Sequence, residues 1–437
     1  MFPRLAALAL LLIATRPAAA DPVALAETPK PGDASRYTVG LVVTGHLVVL
    51  QEGAKQEIKL DARARHRFAE RTLAVADGLA ERSARAYDEA AADATVGGDT
   101  STRALPADRR RVVARRTADG PFCYSTGGPL TRDELELVTD HFDPQCLPGL
   151  LPGKAVGVGD TWAVTDPAAR AAGRFDGLVK NALTGKLVAV ADGRATFAVG
   201  GTAEGIESGA RVAVAVAATG TFDLASGRVV GLVWKQTDDR DQGAVNPASK
   251  VEATITLTRE PLADVPADLT DAALGGKAAG DPPAALTRLH YADPRGRYRI
   301  VYPRDWHVTG RTDAHLVLRL LDRGEFVAQA TVTGWTPAAP GRHATPDEFK
   351  KAVAASPGWV PTRVLDDAEV PAGGGRWLYR VTAEGKMDGL PVVQGFHLLA
   401  GPGGEQVVVT VAAKPEKAKA LAGRDLGLVE GVEFGRK

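Results

Sequence analysis

Several features that specify function in other proteins are scarce in this sequence. Its 437 residues include two cysteines and two methionines, and its 53 lysines and arginines are balanced by 53 aspartates and glutamates. Without net charge, no long-range field attracts nucleic acid or an anionic membrane. The arginine cluster at residues 109–111, 115 and 116 has no aromatic neighbours for base stacking. We therefore interpret it as a solvated strand face and predict no nucleic-acid partner.

Common hydrolase motifs are absent as well. The chain contains neither the G-x-S-x-G nucleophile elbow nor the H-E-x-x-H zinc-protease motif. Gly149–Lys154 imitates a phosphate-binding loop, but its glycines are too close together and Ala155 replaces the required hydroxyl. We predict no catalytic residue, no metal and no cofactor. A hydrolase with a dispersed active site stays open as an alternative, because motif patterns do not address it.

One apolar run stands near the start of the chain. Leu5–Ala14 follows the basic Arg4 and precedes the small residues Ala18–Ala20. This order is typical of a secretory signal peptide, here residues 1–20 with the cut before Asp21. The run has about half of the roughly 20 residues that a membrane-spanning helix needs, so no transmembrane anchor is predicted. We expect the mature chain in the periplasm or outside the cell.

The two cysteines, Cys123 and Cys146, flank a predicted short helix, Arg132–Asp140, whose start is marked by Thr131 and Glu134. In an exported protein two cysteines predict one disulfide. A bridge closing this loop would contribute about 3 kcal/mol in the chain-entropy model. The alternative interpretation is a metal site formed by His141, Asp143 and Cys146, for which no fourth ligand is apparent.

Strand-like patterns dominate the part of the chain before residue 260. Residues 21–35 are rich in proline and are predicted to be a disordered lead-in. Residues 36–260 alternate apolar and polar side chains between Asp-Gly and Ser-Gly turns, which predicts roughly ten antiparallel strands. Residues 78–95 also have alanine-rich helical propensity, but we interpret them as a strand because 108–116 needs an antiparallel neighbour. So many strands predict a curved sheet or partial barrel.

A short motif in this region carries a resemblance. Gly159, Asp160 and Trp162 form a Gly-Asp-x-Trp turn between the strand-rich halves. The region resembles uncharacterised secreted bacterial families with this turn, and its strand count is similar to the half-barrel of periplasmic lipoprotein carriers of the LolA type. The resemblance implies a concave face that takes an acyl chain or an apolar partner segment.

Charged residues beside a tryptophan suggest a ligand cleft in the same module. The segment 234–246 offers carboxylates that calcium accepts as ligands, but its spacing is not that of an EF-hand. A solvated loop that pairs with itself through Arg240 is the competing interpretation. The candidate cleft residues are Trp162, Trp234, Asp238, Asp239 and Asp241.

The remainder of the chain follows a low-complexity segment. Residues 261–286 are rich in alanine, proline and glycine and are predicted to be a linker. Arg297–Trp306 then reads RYRIVYPRDW, which resembles the opening of the PsbP-like superfamily. For residues 287–437 the resemblance implies an α/β sandwich with an antiparallel sheet, in a superfamily mostly of binding and assembly proteins. Thr345 before Pro346 predicts a helix over Pro346–Ala355.

The sequence therefore predicts a mainly β, α+β protein with two modules. The first functional hypothesis is a non-enzymatic binding or assembly protein of the bacterial envelope, whose partner is an unknown envelope protein. The second is a carrier that holds a lipid or another apolar small molecule in the N-terminal concave sheet. The third is the hydrolase with a dispersed active site.

Overall fold

A computed structural model describes residues 21–51, 53–117, 120–139 and 142–435. The predicted signal peptide and His141 lie outside these ranges. The structure is mainly β, with antiparallel sheets, and none of the sheets in the described residues closes into a barrel. The predicted fold class is confirmed. In the same ranges, no helix combines the length and the apolar character that crossing a membrane requires.

The N-terminal module contains the longest strands. Its strands are β1 (Val23–Leu25), β2 (Ala34–Gln51), β3 (Ala54–Ala76), β4 (Leu79–Val96), β5 (Asp99–Ala104), β6 (Arg111–Thr117), β7 (Gly120–Ser125), β8 (Lys154–Val156), β9 (Thr161–Ala163), β10 (Gly177–Asn181), β11 (Thr184–Ala191), β12 (Arg194–Glu207), β13 (Ala210–Asp223), β14 (Arg228–Arg240) and β15 (Ala248–Leu262). Its helices are α1 (Arg132–Thr139) and α2 (Asp166–Ala172), with 3₁₀ segments at Ala107–Arg109 and Pro144–Leu150.

One large sheet runs through this module in the order β7-β6-β4-β3-β2-β15-β14-β13-β12-β11-β9, with β5 joined to β4 and β10 to β12. The alternation that predicted strands is visible in the burial of residues along β13. Val212, Val214 and Val216 are buried there, while the alternate residues are more exposed. The hairpin turn at Asp192-Gly193 has φ of 50° and 73°, the left-handed conformation that this residue pair tolerates. The predicted strand over 78–95 is confirmed as β4.

Helices α1 and α2 and the 3₁₀ segment 144–150 cover one face of the large sheet. Leu135, Leu147 and Ala169 from these three elements join the same buried cluster as Phe197 and Leu257 of the sheet. The protein's own helices therefore cover part of the apolar face of the sheet.

Gly149, in the apparent phosphate loop, lies against helix α2. A Cβ at this position would lie 2.7 Å from the Cβ of Ala168 in α2. The glycine allows the 3₁₀ segment to approach α2 closely. Its role is packing between the two covering elements.

The lead-in is more ordered than its composition predicts. Strand β1 pairs with β8, and Leu25 is fully buried. Glu27 is also buried, with its Oε2 accepting from the backbone N–H of Val229 at 3.1 Å and its Oε1 accepting from Arg228 and Arg259. Side-chain contacts made far along the chain thus order a segment whose prolines suggested disorder.

The predicted linker also packs on the sheet. Residues 261–286 contain a 3₁₀ segment at Ala267–Leu269, helix α3 (Asp271–Leu274) and the start of helix α4 (Ala284–Thr287). Leu269 and Leu274 enter a second buried cluster with Val113 and Tyr124. The segment is therefore a strap across the sheet and does not behave as a free linker.

Arginines of the sheet hold this strap in place. Arg111 donates to the carbonyl oxygen of Ala273 at 2.9 Å, and Arg115 pairs with Asp281 at 3.0 Å. The arginine face that we interpreted as solvated is thus partly covered by the strap. The strand pattern placed these arginines on one face of the sheet, but it did not show that residues 261–286 pack on that face.

The C-terminal module forms two further sheets. Its strands are β16 (Leu289–Ala292), β17 (Arg299–Tyr302), β18 (Trp306–Arg311), β19 (His315–Asp322), β20 (Glu325–Gly334), β21 (Trp359–Glu369), β22 (Trp377–Met387), β23 (Leu390–Ala400), β24 (Gln406–Ala413) and β25 (Val432–Glu433). Its helices are α5 (Pro346–Ala354), α6 (Ala418–Leu421) and α7 (Arg424–Glu430), with a 3₁₀ segment at Pro415–Lys417. The sheet orders are β16-β17-β25 and β18-β19-β20-β24-β23-β22-β21.

The two modules share a buried core. Leu130 of the first module and Leu289 of the second form a parallel bridge and belong to the same apolar cluster. Asp133 of α1 accepts two bonds from Arg311 of β18, at 2.9 and 3.2 Å. These contacts place β18 against α1.

Candidate functional site

Two adjacent cavities lie beside helices α1 and α2. The sheet cavity, about 420 Å³, opens between strands β2, β13, β14 and β15 and these helices. The helix cavity, about 810 Å³, lies between α1, the 3₁₀ segment 144–150, α2 and strand β7. They share a wall that includes Arg132, Leu135, Ala171 and His307. Both volumes are in the range of small-molecule sites.

The sheet cavity has an apolar wall. It is formed by side chains on one face of β2, β13 and β15, namely Leu41, Val43, Val212, Val251, Ala253 and Ile255. Strand pairing places Ala253 opposite Val43 and Ile255 opposite Leu41. Val212 lies two strands away on β13, beyond β14. Phe142 and Leu135 close the cavity from the helix side. An apolar chain would contact protein carbon on both sides here.

Polar groups occupy one end of the sheet cavity. Trp234 donates from Nε1 to Gln236 Oε1 at 2.7 Å, and Gln236 Nε2 donates to both carboxylate oxygens of Asp238 at 2.9 Å. Burial raises the pKa of Asp238 above its usual value. Glu207 nearby lies 3.4 Å from both Arg174 and Arg240. This end is therefore a network of paired polar groups.

The structure brings two of the candidate cleft residues to this site. Asp238 lines the sheet cavity, and Trp234 packs behind it with its ring 5.5 Å from that of Phe142. Asp239 points the other way and pairs with Lys250 at 3.3 Å, and Asp241 is exposed. Since adjacent strand residues face opposite sides of a sheet, these carboxylates do not converge on a calcium ion.

Trp162 lies outside both cavity walls. Its Nε1 donates to the carbonyl oxygen of Leu150 at 2.9 Å, and its ring covers Gly185 of β11. Trp162 is thus a core residue that joins β9 to the 3₁₀ segment. The Gly-Asp-x-Trp turn has a structural role in this chain.

The predicted disulfide is not present, and both cysteines are free and buried. Cys123 lies in β7, whereas Cys146 lies in the 3₁₀ segment after α1. The sequence spacing gave only the length of the loop between them, and a disulfide also needs Cβ atoms that face each other at close range. Burial raises the pKa of the Cys123 thiol to about 11 and also raises that of Cys146.

We expect both thiols to be slow to react in the folded protein and to react fully after unfolding without a reductant. Below a pH of about 11 the Cys123 thiol stays protonated, and the thiolate is the reactive form. The measurement is the mass increase with a maleimide in buffer and in urea, with a reduced sample as control. If the protein in urea takes up no label until it is reduced, the two cysteines form a disulfide after all.

The residues of the alternative metal site have other roles where they are described. Asp143 accepts from Arg85 Nη2 at 2.5 Å and Cys146 is part of the apolar core. His141 lies outside the described residues. Within the described ranges, His, Cys, Asp and Glu side chains do not gather in threes that would hold a metal ion.

Among known proteins, similarity to this chain is found in solved structures. No protein-family model and no curated protein matches the chain. Among solved structures, PsbP of Synechocystis sp. PCC 6803 is similar over 36% of this chain and 99% of its own, with 12% identity and a TM-score of 0.25. Mog1p, the Ran-binding protein of Saccharomyces cerevisiae, is similar over 34% of this chain and 95% of its own, with 15% identity and a TM-score of 0.27.

Lipovitellin is similar to a larger part of the chain. The match covers 59% of this chain and 28% of the lipovitellin chain, with 11% identity and a TM-score of 0.33. These TM-scores are too low to support an argument about function. The similarity to PsbP is therefore a weak structural likeness over about a third of the chain.

Proposed function

We propose that the protein binds a small molecule with an apolar chain in the sheet cavity. The observation that carries the proposal is the apolar wall of β2, β13 and β15 facing Leu135 and Phe142 across an open space. Burying each CH₂ group of a chain in such a space is favourable by about 0.8 kcal/mol. A carrier or binding protein for an amphipathic molecule is the function that this geometry supports best.

The resemblance to LolA-type carriers belongs to the same proposal. That resemblance implies a concave sheet face that takes an acyl chain, and in this protein the sheet cavity lies between the large sheet and helices α1 and α2. The signal-peptide pattern of residues 1–20 supports an activity in the periplasm or outside the cell. In this proposal the C-terminal module contacts an envelope protein.

We expect the purified protein to bind the uncharged fluorescent probe N-phenyl-1-naphthylamine. We also expect 1-dodecanol to displace the bound probe. Ala253→Trp would place an indole in the sheet cavity, because Ala253 is buried in its apolar wall. The indole should exclude about two CH₂ groups of a ligand from the cavity. This loss weakens the binding of the probe and of dodecanol about tenfold. Probe fluorescence in a titration measures the change, and circular dichroism checks the fold.

Thr256→Trp is the matched control. Thr256 lies on the same strand, but it is exposed on the opposite face of the sheet. This variant should bind like the wild type. Val251→Phe is a smaller change in the same wall and should also weaken binding, so the test does not depend on one variant folding. If the wild-type protein binds neither the probe nor dodecanol, the proposed function is wrong.

A further inference from the structure

The shared wall of the two cavities and its surroundings contain guanidinium groups that meet carbonyl oxygens in place of carboxylates. Arg132, the first residue of α1, donates from Nη2 to the carbonyl oxygens of Arg304 at 2.9 Å and Trp306 at 3.1 Å. Its Nε is buried without a hydrogen-bond partner. Among the described residues, no carboxylate lies within salt-bridge distance of Arg132.

Arg304 is held in a similar way. Its Nε donates to the carbonyl oxygen of Thr287 at 2.6 Å and its Nη2 to that of Cys123 at 2.7 Å. Its guanidinium carbon lies 4.2 Å from the centre of the Phe122 ring. Burial, with the nearby charge of Arg132, lowers the pKa of Arg304 to about 10. Within the described ranges Arg304 also has no salt bridge, and it lines the helix cavity.

The buried arginines Arg85 and Arg259 are paired differently. Arg85 contacts Glu70 at 2.7 Å and Asp143 at 2.5 Å, and Arg259 contacts Glu27. Arg132 and Arg304 are half-buried, and a partly desolvated cation that meets only carbonyl oxygens is incompletely compensated. The shared wall therefore has an excess of positive charge where the two cavities adjoin.

The acidic residues around this wall are already engaged. Glu136 accepts from Arg103 at 2.8 Å, and Glu207 pairs with Arg174 and Arg240. His307 lies on the same wall, and burial together with Arg132 lowers its pKa to about 4, so it is neutral at neutral pH and offers one ring N–H. In the part of the chain that the structure describes, these carboxylates leave the charges of Arg132 and Arg304 uncompensated.

We propose that Arg132, Arg304 and His307 bind the anionic head group, a carboxylate or a phosphate, of the molecule whose chain occupies the sheet cavity. This inference rests on the proposed function. Arg132 and His307 border both cavities, so a head group on them continues directly into a chain along β2 and β15. Asp238 at the other end of the sheet cavity would repel an anion, which favours this orientation.

The test compares ligands of equal chain length with different head groups. Dodecanoate and dodecyl phosphate should displace N-phenyl-1-naphthylamine from the wild type at concentrations at least about tenfold lower than dodecanol, because hydrogen bonds to charged groups are the stronger ones. Arg304→Gln and Arg132→Gln should each remove about tenfold of the anion affinity and leave dodecanol unchanged. Glutamine keeps an N–H donor for the carbonyl contacts.

Arg63→Gln is the matched control, since Arg63 is exposed on the sheet and the substitution removes the same charge. It should leave all three affinities unchanged. Equal displacement by dodecanol and dodecanoate in the wild type would overturn this inference while the proposed function stands. Failure of every chain-bearing ligand to displace the probe would overturn both. A tighter effect of dodecyl phosphate than of dodecanoate would identify phosphate as the preferred head group.

Discussion

Replacing Arg85 with alanine is expected to destabilise the protein by about 3–5 kcal/mol, because it leaves two carboxylates buried without their cation. The Arg85 side chain is 1% exposed, and it contacts Glu70, 8% exposed, at 2.7 Å and Asp143, 15% exposed, at 2.5 Å. Its guanidinium carbon also lies 5.4 Å from the centre of the Phe68 ring. The group joins strands β3 and β4 to the segment after α1.

Urea unfolding measures this loss of stability. Arg65→Ala is the control, because Arg65 is 73% exposed and its contact with Glu89 at 3.2 Å is worth at most about 1 kcal/mol. Arg85→Met combined with Glu70→Gln and Asp143→Asn should recover much of the loss, since it removes all three charges together. An Arg85→Ala variant no less stable than Arg65→Ala would show that the cluster is hydrated.

Elements with a local chemical signal were predictable from the sequence. Helix α1 begins where Thr131 and Glu134 exchange hydrogen bonds, with the Thr131 N–H donating to Glu134 at 2.9 Å and the Glu134 N–H donating to Thr131 at 3.1 Å. Thr345 and Glu348 start α5 in the same way. These pairs are three residues apart, so the sequence itself shows both partners.

The candidate site depends on contacts between distant parts of the chain. Arg132 meets the carbonyl oxygen of Arg304, 172 residues away, and Arg304 meets that of Cys123, 181 residues away. No periodicity or spacing reports such a contact. Asp238 was found because it stands near a tryptophan in the sequence, whereas Arg132 had no local signal.

The segments predicted to lack structure were misjudged for a related reason. Their compositions offer little periodic apolar surface, which is the usual signal for packing. Partners elsewhere supply the order instead: Tyr124 donates from its hydroxyl to the carbonyl oxygen of Lys277 at 2.8 Å, and Arg71 donates to that of Leu269 at 2.8 Å. Composition describes what a segment can bury by itself and not what the rest of the fold offers it.

Trp162→Ala is expected to lower stability by about 3–5 kcal/mol, the usual range for removing a buried tryptophan. The variant loses the hydrogen bond to Leu150 and leaves a void over Gly185, the residue opposite Trp162 in the β9–β11 pair. Gly185→Ala should also destabilise, by about 1–3 kcal/mol, because its Cβ would lie 2.2 Å from ring atoms of Trp162.

The double variant separates this contact from general loss of packing. With the Trp162 ring removed, the methyl group that Gly185→Ala introduces no longer meets the ring and fills part of the void, so the two losses should sum to clearly more than the loss in the double variant. Gly177→Ala is the control, because a Cβ there has no neighbour within 4 Å. It should not destabilise the protein and should raise the free energy of unfolding by about 1 kcal/mol at most. Losses that simply add in urea unfolding would mean that ring and glycine do not act as one unit, and that the Gly-Asp-x-Trp turn positions β9 by other contacts.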